Sequence, residues 1–148
     1  MADAIVVEGW KDIRRRLSRL PKTAQKELRE ASRAIALDEA ARLKQAGHRD
    51  TSEQAQRVAQ FVRARSDRVP AIVTTSSRRV FSGGGTVRQV FYGAEFGGGR
   101  RRTTKQFRPW RGREGHWLWP QLRQDEGRMT ERWLMALAGI EREWTHGG

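Results

Sequence analysis

The sequence contains no cysteine and only one tyrosine among its 148 residues. Without a thiol, the chain cannot form disulfides, thiolate zinc sites, iron–sulfur clusters or a cysteine nucleophile. A chain of this length buries roughly two thirds of the surface that it exposes when unfolded, which is enough for one domain to fold without cross-links. We therefore predict a single domain over residues 1–148 that is stabilised by its hydrophobic core.

Long apolar stretches are also missing from the sequence. No run approaches the roughly 18 apolar residues that a membrane-spanning helix needs. The first residues lack the basic region and the apolar stretch of a signal peptide. These absences predict a protein that is made and used in a reducing, soluble setting and that has no membrane partner.

Acidic residues are few relative to basic ones. The chain has 17 Asp and Glu against 30 Lys and Arg, a formal net charge of +13, and most of the cations are arginines. This balance favours a polyanionic or acidic partner. Because arginine also binds carboxylates at protein interfaces, the charge leaves both nucleic acid and protein open as partners.

Periodic patterns predict four helices and four strands. Apolar residues at helical spacing indicate helices at 10–20, 22–46, 55–65 and 122–144, with Pro21 ending the first. Short β-prone runs indicate strands at 4–7, 69–75, 78–81 and 87–92, of which the last two would form a hairpin with a flexible tip at 82–86. Helices and strands in separate blocks predict an α+β fold. We expect a small antiparallel sheet of about four strands, packed with a long N-terminal helix and a C-terminal amphipathic helix.

A glycine-punctuated, cationic stretch at 97–115 predicts a long basic loop, and loops of this length are usually functional or become ordered on binding. Three of the six tryptophans, Trp110, Trp117 and Trp119, lie in this loop or next to it. Arg and Trp are the residue types that dominate protein-interface hot spots, and they also stack bases and clamp phosphates. For these tryptophans we favour a protein interface.

Residues that carry catalysis or bind metals are scattered. The histidines occur singly in predicted turns or tails, whereas a metal site needs paired spacing. These histidines are His48, His116 and His146. The adjacent acids at 38–39 and 125–126 lie in arginine-rich helices, and we interpret them as surface ion-pair partners. The glycine triplets at 83–85 and 97–99 lack the residues of a phosphate loop. We therefore predict no enzymatic activity, no cofactor and no metal site.

Four segments together resemble a known family. Residues 5–10 read Ile-Val-Val-Glu-Gly-Trp, and an alanine-rich helix follows at 22–46. Residues 91–97 read Phe-Tyr-Gly-Ala-Glu-Phe-Gly, and residues 117–122 read Trp-Leu-Trp-Pro-Gln-Leu before the closing helix. With these segments the chain resembles the neck or tail-component family of long-tailed, siphophage-type bacteriophages, which is associated with tail completion and head–tail joining.

The resemblance implies a structural virion protein that forms a ring of six subunits at the head–tail junction, as a tail-completion, tail-terminator or connector subunit. Its implied partners are copies of itself, the neighbouring neck and tail-tube proteins, and the genomic DNA that passes through the channel. Its implied location is the virion neck, and the host cytoplasm during assembly. The alternative is a basic nucleic-acid-binding protein.

A ring requires a heterologous interface, in which one surface of a subunit meets a different surface of the next. The residues that we predict at this interface are Tyr92, Glu95, Phe96, Arg100, Arg101, Arg102, Arg108, Trp110, Arg111, Trp117 and Trp119.

Overall fold

The computed structural model of the chain describes residues 10–98 and 107–146. The predicted strand at 4–7 and the predicted interface residues Arg100, Arg101 and Arg102 lie outside these residues. Within them the fold is α+β, as predicted: five α-helices and a small antiparallel sheet of two strands. No helix of the described part is long and apolar enough to cross a membrane.

The first described elements are two helices, α1 (Trp10–Ser18) and α2 (Lys22–Arg49), separated by Pro21. Proline lacks the N–H that a helix interior needs, so it ends the first helix and stands as the N-cap of the second. The apolar stripe of α2 is buried along the length of the helix and is formed largely by alanine and leucine.

The next elements are shorter than predicted. Helix α3 (Glu53–Ala59) starts at Ser52, whose hydroxyl accepts a hydrogen bond from the amide of Ala55 at 3.3 Å. The chain then forms strand β1 (Arg63–Arg65), which pairs antiparallel with β2 (Ala71–Val73). The helix predicted at 55–65 therefore ends early, and its last residues belong to the sheet.

The predicted hairpin is wrong. Residues 87–92 form the first part of helix α4 (Val87–Phe96), and residues 78–81 contribute only one isolated bridge, between Arg79 and Thr86. Thr86 and Gln89 form a reciprocal capping box that starts α4. Val87, Val90, Phe91 and Ala94 then lie on one buried helical face. The capping box and this spacing outweigh the β propensity of the segment, and the predicted four-stranded sheet is not confirmed.

The last helix, α5 (Leu118–His146), runs antiparallel to α2 along most of its length. The stripe predicted for this helix is buried or partly buried as expected. Its members are Leu122, Met129, Trp133, Leu137, Ile140 and Trp144.

Two hydrophobic clusters flank the two halves of the α2–α5 pair. The first core joins the C-terminal half of α2, α3, α4 and the start of α5, and its buried residues are Ala40, Leu43, Ala55, Val58, Ala59, Val62, Val87, Val90, Phe91, Ala94, Trp117 and Leu118. The second core joins α1, the N-terminal half of α2 and the C-terminal half of α5, and its buried residues are Leu17, Leu20, Ala24, Leu28, Ile35, Trp133, Leu137 and Ile140.

Candidate interaction surface

Three aromatic side chains meet on the surface beside the end of α4. Tyr92 is 63% exposed and Trp110 is 59% exposed, and Phe96 lies between them. The Tyr92 and Phe96 rings stack with centroids 6.4 Å apart and planes 18° apart, and the Phe96 and Trp110 centroids are also 6.4 Å apart. We call Tyr92, Phe96 and Trp110 the aromatic patch.

Helical spacing and a returning loop assemble the aromatic patch. Tyr92 and Phe96 are four residues apart on α4, which places them one turn apart on the same face. The loop returns alongside the C-terminus of this helix, where the Arg111 amide donates to the Phe96 carbonyl at 2.9 Å and the Gly98 amide donates to the Arg108 carbonyl at 2.6 Å. Trp110 is therefore held against Phe96 by backbone hydrogen bonds on both sides of it.

Two glycines allow the loop to come this close. A Cβ at Gly93 would overlap the ring of Phe107, and a Cβ at Gly97 would overlap the backbone of Pro109. Gly97 also has a φ of 89°, a backbone conformation that residues with a side chain rarely adopt. Any larger side chain at either position would push the loop, and with it Trp110, away from α4.

Glu95, which lies on α4, holds the start of α5 in place through hydrogen bonds. Its fully buried carboxylate accepts hydrogen bonds from the amides of Leu118 at 2.8 Å, Trp119 at 3.0 Å and Trp117 at 3.3 Å. The Leu118 and Trp119 amides belong to the first turn of α5, whose N–H groups have no partner within the helix, and the Trp117 amide directly precedes that turn. Burial raises the pKa of Glu95, and the three backbone hydrogen bonds oppose that rise. Gly115 leaves the space that this carboxylate occupies.

Two exposed arginines lie next to the aromatic patch along the chain. Arg88 is exposed one helical turn before Tyr92, and Arg111 is exposed next to Trp110. Arg108 is half-buried and forms an ion pair with Asp50 at 2.7 Å, so its charge is compensated within the subunit. The segments 87–98 and 107–113 contain one acidic residue, and this is the buried Glu95. We call Arg88 and Arg111 the positive border of the aromatic patch.

The structure brings only part of the predicted interface set to this surface. Tyr92, Phe96, Trp110 and Arg111 lie together there. The other described members are engaged inside the subunit: Glu95 caps α5, Arg108 pairs with Asp50, Trp117 is buried beside Phe91 in the first core, and Trp119 packs against that core.

Sequence reasoning missed Arg88. Its spacing of four residues from Tyr92 is a signal only on a helix, whereas the residue types of this segment predict a strand. The acids interpreted as surface ion-pair partners also need correction: Asp38 is exposed and pairs with Arg132, but Glu39 and Asp125 are buried between α2 and α5.

The described residues bring two buried carboxyl groups together, Glu39 and Asp125. They contain no group of three or more His, Asp or Glu side chains that could hold a metal ion. His116 lies beside the Pro109 carbonyl at 3.2 Å, and burial lowers its pKa. Comparisons of the chain with protein-family models, curated proteins and solved structures found no match. The family resemblance therefore rests on the four sequence segments alone.

Proposed function

We propose that this chain is a non-enzymatic structural subunit of a bacteriophage neck that assembles with copies of itself into a ring, six to a ring, at the head–tail junction. The proposal makes it a tail-completion, tail-terminator or connector subunit that also contacts neck and tail-tube proteins. The family resemblance supports the phage assignment. The aromatic patch supports binding to another protein subunit, and it is the observation from which we infer assembly.

The composition of the aromatic patch suits a protein interface. Aromatic and Arg side chains are enriched at interfaces, and central Trp, Tyr and Arg residues contribute most of the binding energy. Tyr92 and Trp110 leave most of their surface in water in the isolated subunit. Because the loop and α4 already hold the rings in place, binding would order few side chains, and the entropic cost of association would be small.

The positive border indicates a heterologous contact. If the aromatic patch met the same surface on another copy, Arg88 and Arg111 would approach their own counterparts, and like charges at an interface are costly. A different surface with acidic or apolar side chains avoids this repulsion. A contact between two different surfaces is the kind that closes into a ring.

A second candidate function is binding of single-stranded nucleic acid. Stacked, exposed rings beside arginines can hold bases and phosphates, and the net charge of +13 attracts a polyanion. This candidate predicts affinity for single-stranded DNA that falls steeply between about 50 and 200 mM salt, through counterion release.

Analytical ultracentrifugation and negative-stain microscopy test the first proposal, with the purified chain alone and mixed with neighbouring neck proteins. We expect rings from the wild type and a shift to monomer for Trp110→Ala and Tyr92→Ala. Met135→Ala is the matched control, because Met135 is 68% exposed on α5 and outside the aromatic patch. Monomers only, alone and with the neighbours, would exclude the ring. Salt-dependent DNA binding lost in Trp110→Ala would favour the second candidate.

A further inference from the structure

Two buried carboxyl groups, Glu39 on α2 and Asp125 on α5, face each other across the contact between these helices. Glu39 is 1% exposed and Asp125 is 5% exposed. Asp125 accepts a hydrogen bond from the side-chain amide of Gln121 at 2.8 Å and lies 3.6 Å from the Arg128 guanidinium. Neither oxygen of Glu39 has a hydrogen-bond donor among the described residues. Asp125 is therefore the better site for a negative charge.

The charged groups that face Glu39 are Arg42 on its own helix, and Asp125 and Arg128 on α5. The Nε of Arg42 is buried and makes no hydrogen bond within the described chain, and neither oxygen of Glu39 accepts a hydrogen bond from Arg42. Two adjacent carboxylates in a buried site cannot both ionise cheaply. A hydrogen bond between them requires that one of them carries a proton.

We propose that Glu39 is protonated at neutral pH and donates a hydrogen bond to the Asp125 carboxylate. The contact between α2 and α5 therefore weakens when this shared proton is lost. The inference is independent of the proposed function, because it concerns only the packing of two helices. At alkaline pH the site would hold two negative charges against the cations of Arg42 and Arg128, away from water.

Burial, followed by the hydrogen bond with Asp125, raises the pKa of Glu39 to about 8, against the lowering effect of Arg128 and Arg42. In the unfolded chain the pKa of Glu39 returns to its ordinary value of 4.5. Between these two values the folded protein keeps a proton that the unfolded chain releases. The stability that this proton provides is therefore complete below pH 4.5 and is lost as the pH rises toward 8.

Carbon-13 NMR titration of the Glu39 side-chain carboxyl in the wild-type protein tests the protonation directly. We expect a midpoint between pH 7 and 9, with the methyl signals of Leu122 and Met129, which flank Asp125 on α5, shifting at the same pH. A midpoint below pH 5.5 would overturn the proposal. Asp125→Asn tests the sharing: the midpoint of Glu39 should fall, and an unchanged midpoint would show that burial alone holds the proton.

Glu39→Gln replaces the ionisable carboxyl group by an amide that keeps the shape of the side chain and a hydrogen-bond donor. The ratio of the unfolding equilibrium constant of the wild type to that of Glu39→Gln should rise by up to about tenfold per pH unit between pH 5 and 8, and then level off. Glu30→Gln, an exposed acid on the same helix, is the control and should give a flat ratio. A ratio for Glu39→Gln that is as flat as the control would contradict the proposal.

Discussion

The first and second cores differ in the size of their side chains and in what they bury. The second core consists mostly of Leu and Ile, and its Trp133 indole donates to the Ser32 hydroxyl at 3.1 Å and to the Arg68 carbonyl at 2.9 Å. The first core consists mostly of Ala and Val, and buried carboxyl groups lie beside it at Glu39 and Glu95. The aromatic patch is on the side of the first core.

This difference separates two roles within one small fold. Large aliphatic side chains bury more apolar area per residue and contribute more to stability. Small side chains contribute less but let backbones approach, as at Gly47, where a Cβ would overlap that of Ala59 in α3. We infer that the second core contributes more stability per residue, while the first core sets the geometry of the interaction surface.

The largest expected effect concerns the second core. Leu137 is fully buried there, and Leu137→Ala should lower the free energy of unfolding by about 3 kcal/mol, through lost burial and the cavity left behind. Urea denaturation measures the loss. Ring assembly of the folded protein should persist at low temperature, because the aromatic patch is remote from this site. Loss of assembly with the fold retained would break the proposed division of roles.

A smaller effect is expected for Glu95→Gln. The amide keeps the size of the carboxylate but replaces one acceptor oxygen by a donor, and it leaves buried N–H groups of α5 without partners. We expect a loss of about 2 kcal/mol in urea denaturation, together with weaker assembly, because Glu95 ties α4 to the start of α5. The exposed Glu114 provides the control, since Glu114→Gln removes a carboxylate from the same region without removing a cap. An unfolding free energy equal to that of the wild type would show that Glu95 does not cap α5.

The smallest change in stability is expected for Gly93→Ala. The gain in helix propensity is about 1 kcal/mol, and it offsets part of the cost of the contact with Phe107. We expect little net change in unfolding but a clear loss of assembly, because the loop that carries Trp110 is displaced. Gly139→Ala is the matched control, since a Cβ there meets no atom within 4 Å. It should stabilise α5 and leave assembly unchanged, and equal assembly in both variants would refute the role of Gly93.

The long helices α2 and α5 were predictable because their apolar stripes persist over many turns. The segment 87–92 was not, because its Val, Phe and Tyr residues suit a strand equally well and the helix is decided by the Thr86–Gln89 capping box and by packing. The hydrogen bonds that Glu95 accepts from residues 117–119 span 22 to 24 residues in sequence, beyond the reach of local periodicity. Glu39 left a readable signal, since it occupies a stripe position four residues from both Ile35 and Leu43.

Residues 92–97 show which parts of the candidate interaction surface can be identified from the sequence. Two of its residues, Tyr92 and Phe96, belong to the aromatic patch, and Glu95 caps α5. Gly93 and Gly97 admit the returning loop. The residue types could be quoted from the sequence, but the division between exposed and buried members depends on α4 being a helix, which the sequence reading missed.

The central claim is that the aromatic patch contacts a different surface on another copy of the chain. Photo-cross-linking tests it most directly, with p-benzoylphenylalanine in place of Tyr92 in assembled particles and mass-spectrometric mapping of the linked peptides. The account predicts cross-links from position 92 of one subunit to residues of another subunit outside the aromatic patch. Cross-links that join position 92 only to the aromatic patch of the second copy, or only to nucleic acid, would contradict it.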